Sequence, residues 1–236
     1  MKREEQQAFE GLSLGIATSE EERAAVFRLR HEAYLAIDAI EPAPDGIFRD
    51  PYDALPTTVL ITVTDDRALA GALRFALQLP PDEQFGFVES CPEAGPFSDV
   101  VARLLADGRP LASGSRFSIL PGHPRRGVVS LLLIGALAKL ASAARAKWGI
   151  STARAAHVKF YERLMGMRPV SEERQMPFLT DRYRLLAVDV ADGFETTVGA
   201  MPDVLKPFFA GADQPWLREA LRLLAAHDPA RRFMRD

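Results

Sequence analysis

Residues 111–147 read LASGSRFSILPGHPRRGVVSLLLIGALAKLASAARAK, and the fold turns on how they are parsed. LASGSRFSIL (111–120) predicts a strand. PGHPRRG (121–127) is a basic loop, punctuated by proline and glycine. VVSLLLIGALAKLASAARAK (128–147) predicts a long helix, broken by Lys139 and too short and mixed in composition to span a bilayer. A basic loop between a strand and a long helix is a natural anion site, because the helix start offers free N–H groups and a positive dipole end.

Working outward, WGISTARA (148–155) predicts a strand, HVKFYERLMG (157–166) a short helix ended by Gly166, and RYRLLAVDV (182–190) a last strand. Upstream, LSLGIA (12–17) alternates like a strand. Ser19 and Glu22 form a capping box for a helix running through AAVFRLRHEAYLAI. After the loop EPAPDG come TTVLITVT (57–64) and LAGALRFAL (69–77), joined by a hairpin turn at Asp65-Asp66-Arg67. Residues 78–98 are irregular, and a short helix is expected at SDVVARLLAD. Early strands followed by strand–helix alternation imply an α/β chain with a mixed sheet and helices on both faces. We expect residues 1–190 to form this domain and residues 191–236, with the helical patch PWLREALRLLAAH (215–227), to be a helical extension packed on it.

The 236 residues are 47% apolar, enough for a sizeable core. The single cysteine, Cys91, excludes an internal disulfide framework and suits a reducing compartment. There is no CxxC or HExxH pattern and the four histidines are scattered, so no metal site is expected. MKREEQQAFEG lacks the apolar core of a signal peptide, and a soluble cytoplasmic protein is the expectation. The net charge of −3 hides a strong asymmetry. Residues 1–102 hold 8 Lys/Arg against 19 Asp/Glu, residues 103–168 hold 12 against 2, and residues 169–236 hold 9 against 11. The basic middle third points to an anionic partner: nucleic acid, a phosphorylated cofactor or an acidic protein. No aromatic-interleaved basic sheet or recognition-helix pattern supports nucleic acid.

Further motifs narrow the choice. Asp50-Pro51-Tyr52-Asp53 places two carboxylates just ahead of a buried strand, where turn chemistry is one reading of them and a site role the other. They stand in order with Arg30 and Tyr34 on the first helix, Arg74 in GALRF, and Ser115-Arg116 in SGSRF. Phe160-Tyr161-Glu162-Arg163-Leu164-Met165-Gly166-Met167 is similar to the "xFYERxGF" helix of GNAT acyltransferases, and residues 111–170 resemble the central half of that fold. Over residues 12–190 the chain resembles the acyl-homoserine-lactone synthases and the related long-chain N-acyl amino acid synthases. Two positions depart from the pattern. Ser113 stands where the family has a Glu three residues before the Arg, and HPRRGVVS (123–130) keeps only Gly127 of the glycines that cradle a CoA pyrophosphate, with Pro124 at the Arg/Gln place.

The resemblance implies a GNAT-like N-acyltransferase that moves a fatty acyl group to the amine of an amino acid or amino-acid-derived lactone. The degraded loop and the basic middle third favour acyl-carrier protein over CoA as donor, with no tightly bound cofactor. Arg30, Asp50, Asp53, Arg74 and Arg116 are expected to form a carboxylate–guanidinium network that orders the amine pocket. Carboxylates so paired make poor bases, so they organise rather than accept protons. Tyr161 is the candidate general acid, the competing reading being a core aromatic. Glu89 is a candidate for water-mediated deprotonation, and His123 and His157 read as structural. Tyr34, Phe117, Ser113 and Ser115 are candidate substrate contacts, and Arg125, Arg126 and Lys159 candidate carrier-protein contacts. Leu131, Leu132 and Leu133 fit either an acyl lining or the core. The competing functions are a CoA-dependent GNAT N-acetyltransferase and a non-catalytic module that binds an acyl ligand or acyl-carrier protein.

Overall fold

The structure, a computed structural model, describes residues 10–81, 91–210 and 214–226. Strand β1 (Leu12–Ile16) leads into helix α1 (Glu20–Leu35). The Ser19 side chain caps the Glu22 N–H, and the Glu22 carboxylate bonds back to the Ser19 N–H, the expected capping box. A short 3-10 turn (Pro51–Ala54) precedes the hairpin β2 (Thr58–Asp65) and β3 (Ala68–Gln78). Then come α2 (Ser98–Leu104), β4 (Leu111–Ile119), α3 (Arg126–Ala143), β5 (Trp148–Ala153) and α4 (Val158–Met165). Two-residue strands β6 (Arg168–Pro169) and β7 (Arg174–Gln175) precede β8 (Arg182–Asp189), and α5 (Val190–Ala200), α6 (Pro207–Ala210) and α7 (Pro215–Ala226) follow.

One mixed sheet runs in the order β1-β2-β3-β4-β5-β8-β6, with β7 paired to β8. Among the described residues only β4 and β5 are a parallel pair, and α3 supplies the crossover that such a pair needs. Residues alternate between faces. Leu73, Phe75 and Leu77 of β3 join the core under α3 and α7, whereas Ala72 and Ala76 face α1 and α2. Helix α3 is long and apolar enough to cross a membrane by length and composition, yet half of it is buried inside the protein. Its apolarity is that of a helix set between the sheet and the C-terminal helices. Leu132 and Leu133 are wholly buried in that core, which is the packing reading of the leucine run. Gly114 allows the close approach of α3: a Cβ there would meet the Leu137 side chain at 2.4 Å.

Helix α3 starts at Arg126, two residues earlier than expected, and β8 stops at Asp189, not Val190. The Asp189 carboxylate caps Ala191 N–H and opens α5, a helix the sequence reading did not anticipate. After it, Met201, Leu205, Phe209, Trp216 and Leu217 pack into the same core as β2 and α3.

Candidate active site

The turn that carries Asp50 and Asp53 is built by those two side chains. Asp50 accepts from the Tyr52 N–H at 3.0 Å, and Asp53 accepts from the Asp50 N–H at 2.9 Å. Both carboxylates then face three guanidiniums. Arg30 of α1 grips Asp53 with a two-pronged fork at 2.7 and 3.1 Å. Arg74 of β3 donates to Asp50 at 2.5 Å, to Asp53 at 3.1 Å and to the Ser115 hydroxyl at 3.1 Å. Arg116 of β4 holds Asp50 through Nε and Nη2 at 2.9 and 2.7 Å. Arg23 adds a bond to the Asp53 carbonyl. Phe48 lies under Arg116 at 5.0 Å and Phe27 under Arg30 at 5.3 Å, so the cations also rest on aromatic faces. All five residues are buried. Burial alone would raise the Asp50 carboxyl, but Arg74 and Arg116 outweigh it and hold it below the usual carboxylate range. Burial lowers the Arg30 guanidinium, with Asp53 opposing; at Arg74 the two aspartates win over burial and raise it.

The network secures a bulge. Ala72 pairs with Ser118 and Arg74 with Ser115, so two β4 residues, Arg116 and Phe117, face the single residue Leu73. Arg116 takes φ +55°, a left-handed conformation that costs a non-glycine residue about 1–2 kcal/mol. Its ion pair with Asp50 holds it there. Beyond Gly114 and Ser151 the parallel pairing of β4 and β5 stops, and the strands part. A cleft of ≈ 480 Å³ passes through the gap, lined on the α1/α2 side by Tyr34, Ile37 and Glu93 and on the α3/α4 side by Arg126, Ser130 and Tyr161. Of the five network residues only Arg116 reaches its wall; Arg30, Asp50, Asp53 and Arg74 stand behind it.

Of the other expected site residues, Tyr34, Ser115, Phe117, Arg126 and Tyr161 line the cleft. Ser113 is buried and donates to Glu93 at 2.8 Å. Arg125 is turned away from the cleft, its Nε on Asp65 at 2.8 Å and its Nη1 on the Glu10 carbonyl. His123 shares Asp65 at 3.2 Å. Lys159 is exposed on α4 and outside the cleft lining. Glu89 lies outside the described residues. His157, read as structural, lines the cleft. The Tyr161 hydroxyl is pushed up to about 12, first by burial and then by Tyr34, with a hydrogen bond to Ser151 opposing. It is a protonated donor at neutral pH. Burial likewise raises Tyr34.

Among the lining residues that were not foreseen are the polar groups Glu93, Ser151 and Arg154. Arg154 Nε pairs with Asp181 at 2.8 Å and its Nη2 is buried without a partner. Among the described residues, no group of three or more His, Cys, Asp or Glu could hold a metal ion.

A family model described as N-acyl amino acid synthase FeeM matches residues 25–189. Among solved structures, FeeM, an N-acyl amino acid synthase from uncultured soil microbes, superposes with a TM-score of 0.64 at 16% identity, covering 84% of this chain and 97% of its own. BjaI, a CoA-dependent acyl-homoserine lactone synthase, gives 0.60 at 19% identity, covering 90% and 99%. The acyl-homoserine lactone synthase LasI gives 0.55 at 14% identity, covering 81% and 95%. Comparison with curated proteins by sequence finds no match. The shared architecture is the GNAT-like acyltransferase fold expected from residues 111–170.

Proposed function

Because the chain belongs to the FeeM family of N-acyl amino acid synthases, we propose that it transfers a fatty acyl group from acyl-carrier protein to the amine of an amino acid or amino-acid-derived lactone. The observation that carries this reading is the cleft through the parted strands, lined by elements from both faces of the sheet. Two substrates can approach from opposite sides and meet at the bulge, which lowers the entropic cost of a bimolecular reaction.

The donor thioester enters from the α3/α4 side. There Arg126, at the N-terminal end of α3, faces the cleft and suits the phosphate of a pantetheine arm. Apolar residues including Ala112, Leu137, Met165 and Phe194 line a small cavity of ≈ 30 Å³ behind Gly114, toward which an acyl chain extends. The amine enters from the α1/α2 side, between Tyr34 and Glu93. Arg154 Nη2 is open to a substrate carboxylate on that side. The network behind the wall fixes Arg116 and the bulge and stays out of the proton transfers. As the amine nitrogen attacks the carbonyl carbon, the C–S bond breaks. Tyr161, protonated and on the donor side, supplies a proton to the leaving thiolate. Among the described residues after 190, Met201, Leu205, Phe209, Trp216, Leu217 and Leu224 complete the α3 core, so α6 and α7 belong to the same folding unit.

The decisive experiment incubates the purified chain with long-chain acyl-carrier protein, long-chain acyl-CoA or acetyl-CoA, each with amino acids or S-adenosylmethionine, and identifies products by mass spectrometry. Expected is an N-acyl product from the carrier-protein thioester. BjaI is described as CoA-dependent, so preferential use of long-chain acyl-CoA would replace the donor assignment. Turnover of acetyl-CoA alone would return the chain to the ordinary N-acetyltransferases.

A further inference from the structure

Ser113 of β4 lacks the carboxylate that the resemblance leads one to expect there, yet a carboxylate is present in space. Glu93 is carried in by the segment ahead of α2, which is pinned by Phe97 N–H donating to the Glu93 carbonyl at 3.0 Å. The Glu93 side chain lies against Ser113, whose hydroxyl donates to Oε2 at 2.8 Å. Glu93 is fully buried, lines the acceptor side of the cleft, and its Oε1 has no hydrogen-bond partner.

That arrangement is costly unless something completes it. A buried carboxylate normally has a cation or several donors. No cation among the described residues is ion-paired with Glu93. Arg74 is near enough to feel the charge, but its Nε and Nη1 are committed to Ser115, Asp50 and Asp53, and its buried, unpartnered Nη2 makes no ion pair with Glu93. The neighbouring Cys91 thiol, held well above its usual value by burial first and then by Glu93, hydrogen-bonds the Glu93 side chain but stays neutral and brings no positive charge. Tyr34, the ionisable group that α1 contributes to the cleft wall, is neutral as well, and Arg154 from beyond β5, though its Nη2 is unpartnered, makes its ion pair with Asp181 and none with Glu93. The open lone pairs of Glu93 therefore await a cationic donor from outside the chain.

Resting on the function proposed above, we infer that Glu93 is the acceptor-binding carboxylate: its unpaired Oε1 receives the ammonium of a primary amine substrate and takes one of its protons. The ammonium loses that proton to Oε1, which frees the nitrogen lone pair. The C–N bond then forms as the C–S bond breaks. A second nitrogen proton leaves as the amide forms and passes through water to the Tyr161 oxygen, restoring the proton that Tyr161 gave the thiolate, and Glu93 returns its proton to water. The substrate class is a protonated primary amine; an alcohol or a thiol could donate one hydrogen bond but would bring the carboxylate no positive charge.

The test uses the full chain in three forms. Glu93→Gln keeps the shape and an acceptor for Ser113 but removes the charge. Glu93→Ser moves the carboxylate away, and Glu93→Ser with Ser113→Glu returns one from the strand side. Expected are at least a hundredfold lower kcat/KM for the amine in Glu93→Gln, a donor KM within about twofold of the parent, and substantial recovery in the double variant relative to Glu93→Ser. An unchanged kcat/KM for the amine in a folded Glu93→Gln protein overturns the inference. So does a parallel fall in donor and amine binding together with a lowered melting temperature, and so does a folded double variant without recovery. If the parent chain forms no N-acyl product, the function reading fails and Glu93 is judged by calorimetry with S-adenosylmethionine and with free amino acids. Binding by the parent that Glu93→Gln abolishes supports the ammonium site; equal or absent binding removes it.

Discussion

The two walls of the cleft are built on opposite principles. The β4 wall is backed by five buried charged groups locked by short bonds, with a left-handed Arg116 held in place by Asp50. The β5–α4 wall rests on lighter ties. Ser151 donates to the Gly114 carbonyl at 2.8 Å, Arg154 is a quarter exposed and paired with a half-exposed Asp181, and Phe160 is 46% exposed. Replacing buried ion pairs by apolar packing often stabilises a protein, so the β4 network is poorly explained as glue. Its return is position: a bulge and one guanidinium fixed in a unique place. The other wall carries Tyr161 and Arg154 on these lighter, partly exposed supports.

Breaking the fixed wall has the largest expected effect. Asp50→Ala strips Arg116 of its carboxylate and leaves Arg74 only Asp53, so unpaired charge remains buried. We expect a loss of about 3–5 kcal/mol in urea unfolding, with activity lost as well. A pH series sharpens the assignment. Asp50 titrates lower in the folded chain than unfolded, so its contribution is complete above the ordinary carboxylate value near ~4 and drains away as pH falls through the lowered one. The parent chain should lose stability on that acid limb, and Asp50→Ala should show a flatter one. An unaltered acid limb would place the linkage elsewhere.

The contrast between walls also separates what the sequence discloses from what it withholds. Arg30, Asp50, Asp53, Arg74 and Arg116 were legible as a set because opposite charges recur at the spacings of a resembled family. That four of them stand behind the wall was not legible, because burial depends on how α1, β3 and β4 stack. Glu93 was hidden for a different reason: it meets Ser113 across 20 residues and the helix α2, and no local pattern marks it. The only trace was the empty carboxylate place at Ser113. Arg125, a candidate carrier contact in a basic run, is also paired with Asp65 at the β2–β3 turn, a partner 60 residues away that no local pattern marks. Helix α5 escaped because VADGFETTVGA mixes glycine with β-branched residues, weak helix formers that packing on α3 overrides. The Asp189 cap was its one local sign.

On the lightly tied wall the next effect is kinetic. Tyr161→Phe keeps the ring that packs with Met165 and Ile134 and removes only the hydroxyl and its bond to Ser151. Stability should change by about 1 kcal/mol, while kcat falls roughly a hundredfold, the lower end for a lost general acid. A variant with unchanged kcat would reduce Tyr161 to a core aromatic and shift the proton to water.

The smallest effect, and the finest test of the contrast, falls on Arg154. Its pair with Asp181 is partly solvated, so Arg154→Ala should cost no more than about 1 kcal/mol in unfolding, far less than Asp50→Ala. If its open Nη2 meets the acceptor's carboxylate, the variant should raise the amine KM severalfold for a free amino acid and leave it unchanged for the methyl ester of the same amino acid. The comparison of acid with ester cancels any general loosening of the wall, which would weaken both alike. Equal rises for acid and ester would make Arg154 a strut for Tyr183 and Asp181, and the lightly tied wall would then contribute its proton donor but no carboxylate recognition.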